Sequence, residues 1–200
     1  MDDKYTFKLK NNLFTSELAH IDLCIKIINR VANSGLNVFN LEDHYPTLPF
    51  TSFDLKPYLF KELILKEKDF RASLKEIDWS IYKNSIVLIF NSNDAIIPVW
   101  AFMLVSTYLN DFATEIFQGT QEEYLKLHYS MVIQKIDAES FNDQRVIIKG
   151  CSNKPVPAFA YTAITYRLKP FAKSIMYGEP CSTVPIYKKP RVVTSRLVSE

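Results

Sequence analysis

Two cysteines, Cys151 and Cys181, are the residues of this sequence best suited to chemistry. Each follows a short apolar run that closes on a glycine, RVIIK before Gly150 and KSIMY before Gly178, and each opens a Cys-Ser pair. A thiolate is both a nucleophile and a soft metal ligand. If the two runs are neighbouring parallel strands, about 4.8 Å apart, the thiols can share one ligand: a transient metal, a persulfide or an iron–sulfur cluster. Asp94 and Glu179 offer carboxylates to the same rim, and Ser92, Ser152 and Ser182 offer hydroxyls. Cys151 also stands just before a predicted helix start, where free N–H groups and the helix dipole favour a thiolate. The plainer alternative for both residues is a buried, inert thiol. Cys24, on the apolar face of a predicted helix, reads as core.

Other chemistry has no foothold in the spacing. There is no Cys-x-x-Cys, no His-Glu-x-x-His and no histidine pair at ligand distance, so no structural zinc is read. Gly-rich phosphate loops and Gly-x-Ser-x-Gly elbows are missing. His20, His44 and His128 are scattered and read as surface or packing residues. Asp94 has a second reading as a turn or helix cap.

These residues need elements to hold them. Leu18, Ile21, Ile25, Ile28 and Ala32 recur at three- and four-residue steps, so a helix is predicted from Ser16 to the Asn33-Ser34-Gly35 stop. Residues 1–14 read as an arm. Short strands are predicted at Val38–Leu41 and Phe50–Phe53, and a helix over Lys66–Ile77 with Glu67 four residues before Arg71. The segment from Leu55 to Leu65 is ambiguous. Beyond it the pattern alternates: a strand at Ile86–Phe90, a helix from Pro98 to Tyr108, a strand at Thr114–Gln118, and a helix opened by a Thr120–Glu123 capping box. A strand at Arg145–Lys149, a helix from Pro157 to Leu168 and a strand at Lys173–Tyr177 follow.

Strands alternating with helices make an α/β fold. The expectation is three layers around a mainly parallel sheet in residues 86–178, with a helical and short-strand elaboration before it. A single domain of 200 residues is expected, with 186–200 as a tail. In such a sheet the site lies outside the carboxyl ends of the strands. Gly119, Gly150 and Gly178 all fall there, and the chain has only four glycines, well under the usual ~7%.

The second half of the chain partly repeats itself. A shift of 59 residues lays 86–119 on 145–178 with nine identities, among them Pro98/Pro157, Ala101/Ala160, Leu109/Leu168 and Gly119/Gly178. Ser92 then corresponds to Cys151, and Asp94 to Asn153.

Composition sets the outer bounds. Apolar residues make up 48% and charged residues 23%, an ordinary soluble balance that excludes disorder. The longest apolar run, Ala95–Val105, is too short for the ~20 residues of a membrane helix, so no membrane is expected. Net charge is +2, and the four basic residues at 188–196 lack interleaved aromatics, so no nucleic acid is expected. Three cysteines argue against a secreted disulfide framework and for a reducing, cytoplasmic setting. The charged, polar start is unlike a secretory signal.

The stretches NRVANSGL (29–36), LILKEKDFR (63–71), NDAIIPVWA (93–101), VIIKGCSNKPVP (146–157) and AKSIMYGEPCSTVPIYK (172–188) together resemble a bacterial family of small cytoplasmic proteins, a domain of unknown function. The resemblance runs from about Lys26 to Lys189, and KSIMYGEPCSTVP is its most specific block. The chain departs from it before Lys26 and at His44, where an aromatic residue is expected. Family members resemble neighbours of iron–sulfur cluster assembly genes, which implies an accessory role in sulfur or cluster handling with iron–sulfur assembly proteins as partners. One chain supplies two rim cysteines and a cluster usually takes four, so a cluster needs a homodimer or a partner. Two other readings stand beside this one. The rim could serve an enzyme acting on a small anionic substrate, with Cys151 as nucleophile. Alternatively, the 14 Phe and 11 Tyr could furnish the exposed apolar surface of a non-catalytic interaction module.

Overall fold

The computed structural model describes residues 35–150 and 153–190. The arm, the helix expected from Ser16, His20, Cys24, Cys151, Ser152 and residues 191–200 lie outside the described residues. Within them the chain runs β1 (Leu36–Asn40), β2 (Phe50–Asp54), β3 (Leu59–Phe60), β4 (Ile64–Leu65), α1 (Glu67–Lys75), β5 (Ile86–Phe90), α2 (Val99–Leu109) and β6 (Glu115–Gln118). It continues through α3 (Gln121–Lys135), β7 (Arg145–Lys149), α4 (Ala158–Leu168), β8 (Ser174–Glu179) and β9 (Ser182–Lys188). The described residues fall into two compact units, 42–135 with 153–163, and 35–41 with 136–150 and 164–190.

The first of these units holds a wholly parallel sheet in the order β2-β5-β6. The second holds the order β1-β7-β8-β9, parallel except for the β8–β9 hairpin. The four strands expected in one sheet are thus shared by two. Each pair takes its third parallel strand from upstream, β2 for β5 and β1 for β7. A strand buried on both faces needs neighbours on both edges, and β5 and β7, with the buried runs IVLI and VII, each lie between two parallel strands.

Ile186, Tyr187 and Lys188, which composition assigns to a tail, complete β9, where Tyr187 pairs with Ile175 and Lys188 with Ser174. Pro185 hides the strand pattern. It is tolerated because β9 is an edge strand, whose outer side carries no ladder bonds, and because the pairing is irregular beside it, between Ile175 and Met176. The ambiguous segment 55–65 is a short hairpin, with Leu59 opposite Leu65 and Phe60 opposite Ile64.

The core of the first unit is an aromatic and aliphatic cluster of Phe53, Leu55, Phe70, Leu74, Trp79, Val87, Ile89, Val105 and Leu109. α1 and α2 deliver their buried residues at helical spacing, Phe70 and Leu74 from one and Ala101, Val105 and Leu109 from the other. The capping box forms as expected: Thr120 N–H donates to Glu123 Oε2 at 2.8 Å, and Glu123 N–H donates to Thr120 Oγ1 at 3.3 Å.

The repeat is carried by the backbone as well as by the residues. Ile86 pairs with Phe50 and Glu115, and Arg145 pairs with Leu36 and Ser174, which are matching registers under the 59-residue shift. The first turn of each helix has the same bond, Ala101 N–H to Pro98 O and Ala160 N–H to Pro157 O, both 2.9 Å. The match extends upstream of the sequence overlay. Asp78 and Asp137 each accept a backbone N–H two residues on, from Ser80 and Glu139. Asn84 and Asp143 each take a left-handed φ, 55° and 54°. The pairing strand breaks the order, because β1 precedes β2 in the chain.

Candidate functional site

The residues proposed from sequence fall into two groups. Ser92, Asp94 and Gly119 belong to the unit built on β2-β5-β6, and Gly150, Gly178, Glu179, Cys181 and Ser182 belong to the unit built on β7 and β8. Cys151 and Ser152 lie outside the described residues.

At the carboxyl end of β5 the loop is fastened from within. The Asn91 amide donates to the carbonyls of Asn93 and Ala95 and to Asn93 Oδ1, at 2.7–3.0 Å. Asp54, at the end of the neighbouring β2, accepts N–H bonds from Lys56 and Ser92, each 3.0 Å. Burial alone would raise the Asp54 carboxyl. The Ser92 side chain, the Lys56 and Ser92 N–H groups and the Lys56 charge together outweigh it and hold the group below its ordinary value. Asp54 carries no sequence motif, and only its place at the end of a parallel strand could have pointed to it. Its carboxylate accepts the Ser92 N–H and brings negative charge to this edge, with the Lys56 charge near it. Asp94, two residues after Ser92, is exposed.

At the other strand end, β8 turns into β9 through Pro180 and Cys181, with Glu179 opposite Ser182 and Gly178 opposite Thr183. Cys181 is exposed in this two-residue turn and is in the free thiol form. Gly178 is there of necessity: its φ is 119°, and a Cβ would lie 2.5 Å from the Ser182 carbonyl oxygen. Lys149, the last residue of β7, pairs with Glu179 at 3.3 Å, so a cation and an anion flank the strand ends. Glu179 is thereby tied to Lys149 and is a rim fastener as much as a ligand. Among the described residues no three of His, Cys, Asp and Glu are grouped to hold a metal ion.

A cavity that the motifs did not reveal lies against the amino ends of β5 and β6. It encloses about 240 Å³ between the Asp43–Leu48 loop, Ile86, Glu115 and the α3 residues Tyr124, His128 and Val132. The buried Tyr124 hydroxyl donates to Glu115 at 2.6 Å, and its ring meets Phe50 and Phe117 edge-on. His128 Nε2 lies 2.8 Å from the His44 carbonyl, which can only accept, so Nε2 carries the proton. The i, i+4, i+8 spacing of Tyr124, His128 and Val132 was the available signal. The His128 ring packs against Tyr124 and Tyr129, with centroids 5.9 and 5.7 Å apart.

Burial, then the Glu115 hydrogen bond and charge, push the Tyr124 hydroxyl above its ordinary value. Burial first, and then nearby charges, do the same for Tyr129. Both groups keep their protons in the fold after an unfolded chain would lose them, so their contribution is complete below about pH 10 and is lost as pH rises beyond it. In a phenolate absorbance titration, Tyr124 and Tyr129 are expected to ionise last, together with alkaline unfolding. Full ionisation of all 11 tyrosines in one step near pH 10 while the fold persists would refute this.

The family model described as protein of unknown function (DUF2480) matches residues 25–189, and the chain belongs to that family. No curated protein and no solved structure matches it.

Proposed function

We propose that this DUF2480 protein is an accessory in iron–sulfur cluster or sulfur handling, and that it carries sulfur at the carboxyl ends of β7 and β8. The observation that supports this reading is the exposed Cys181 thiol, displayed on a tight turn beside the Lys149 and Glu179 strand ends. A thiol exposed in a two-residue turn is open to a donor from several directions. Cys151 follows Gly150, the residue after β7, and supplies the second thiol of the proposed pair.

A persulfide suits this surface better than a resident cluster. A cluster asks for about four thiolates; a persulfide asks for one. The Cys181 thiolate attacks the outer sulfur of a donor persulfide, a new S–S bond forms, the donor's S–S bond breaks, and the donor leaves as a thiolate. The bound outer sulfur is then available to an acceptor thiol by the same exchange.

The test is sulfur loading of oxygen-free protein with glutathione persulfide, read by intact mass and cyanide-releasable sulfur. The expected result is one added sulfur that is lost in Cys181→Ser and kept in Cys24→Ser. No uptake, or equal uptake by Cys181→Ser, would overturn the proposal. Metal and acid-labile sulfide analysis of the same preparation separates a persulfide from a cluster.

A further inference from the structure

We propose that the chain pairs with a second copy of itself through an apolar face made by the β3–β4 turn and the start of α2. Six large apolar side chains stand out there: Ile96 is 91% exposed, Val99 72%, Leu63 68%, Met103 65%, Ile64 61% and Phe60 46%. Asn93 Nδ2 donates to the Glu62 carbonyl at 2.7 Å and so ties the hairpin turn to the loop that leads into α2. Val99 and Met103 lie one helical turn apart, on the side of α2 opposite its buried Ala101, Val105 and Leu109.

The internal repeat shows that the fold does not require these residues. The positions equivalent to Ile96, Val99 and Met103 are Pro155, which precedes α4, and Ala158 and Thr162 on it; all three are exposed and smaller, and the large exposed side chains of α4, Phe159 and Tyr166, stand at other positions. The buried positions keep their character in both copies; at these three outward positions the side chain is large and apolar in one copy only. The hairpin has no counterpart in the other copy. Its turn places Lys61 and Glu62 at left-handed φ values of 49° and 58°, a conformation costly for residues other than glycine. An exposed apolar patch of this kind marks an interaction surface.

Charge and area select the occupant. The border carries both signs: Lys56 pairs with Glu62 at 3.8 Å, Arg71 pairs with Glu67 at 2.9 Å, and Lys66 stands 3.5 Å over the Phe60 ring. A mixed border around an apolar centre is complementary to itself across a two-fold axis, whereas an anionic membrane or an acidic partner selects a border of one sign. Six side chains of this size and exposure offer an area on the order of the ~800 Å² per partner of a standard interface.

The test is sedimentation of the full chain across the micromolar range. The expected result is a dimer that Ile96→Glu and Met103→Glu weaken by roughly tenfold or more, with unchanged circular dichroism. Ala158→Glu and Thr162→Glu, the matching changes on α4, should leave it intact. A wild-type chain that stays monomeric overturns the proposal, as does a dimer indifferent to both α2 changes. A monomer that instead co-sediments with phosphatidylserine vesicles also overturns it, in favour of a lipid surface. None of these outcomes bears on sulfur loading at Cys181, so the two proposals fail separately.

Discussion

Trp79→Ala is expected to lower stability by about 3–5 kcal/mol, and the melting temperature by on the order of 10 °C for a chain of this length. The indole is the hub of the aromatic core in the β2-β5-β6 unit. It stacks on Phe53 at 5.5 Å and on Tyr108 at 5.1 Å, and meets Tyr82 at 5.9 Å. Truncation removes all three ring contacts and leaves a cavity that a sheet strand and two helical segments cannot close without moving. The indole N–H adds a polar contribution, a 3.0 Å bond to the carbonyl of Leu74 near the end of α1. Trp79→Phe keeps most of the packing and orphans that carbonyl, so it should cost roughly 1–2 kcal/mol. Urea unfolding of the two variants separates packing from hydrogen bonding. A loss under about 1 kcal/mol for Trp79→Ala would mean that the ring cluster contributes far less than burial implies.

Sequence pattern located most of the elements because their signals are local. The unbroken apolar runs of β5 and β7, the Thr120–Glu123 capping box and the helix-opening Pro98 and Pro157 all appear where the residues place them. What local signal cannot carry is pairing. Nothing in Leu36–Asn40 says that it joins β7 rather than β5, since the choice rests on contacts more than a hundred residues away, such as the Asn37 amide donating to Gln144 at 2.8 Å. β9 was lost for a different reason. A central proline breaks the strand pattern, and the position at a sheet edge makes it acceptable.

The candidate site was legible in the same uneven way. Glycines at the strand ends are a local signal with a physical cause, and Gly119 and Gly178 take φ values of 137° and 119°. The partners of Ser92 and Glu179 were not legible. Asp54 and Lys149 reach them from adjacent strands, and both are unremarkable in sequence. The Glu115–Tyr124 bond joins residues close in sequence, yet the fold must turn β6 into α3 before they meet.

Leu109→Ala and Leu168→Ala are expected to cost nearly the same, each about 2–5 kcal/mol. The two leucines close equivalent helices, α2 and α4, and both are fully buried. Each carbonyl accepts two N–H bonds as the helix ends, from Phe112 and Ala113 at 2.9 and 2.8 Å, and from Phe171 and Ala172 at 3.1 and 2.9 Å. One helical turn back, each stands over a residue of similar shape, Val105 in one copy and Ile164 in the other, which are also fully buried. Cavity cost depends on how far the surroundings relax, and matched surroundings should relax alike. Unfolding of the two variants by urea therefore asks whether the repeat is energetic or only topological. Costs that differ by more than about 2 kcal/mol would mean that the two copies share a backbone path but not a packing solution. Similar costs would place the divergence outside the buried positions, at pairs such as Met103 and Thr162, which correspond under the 59-residue shift.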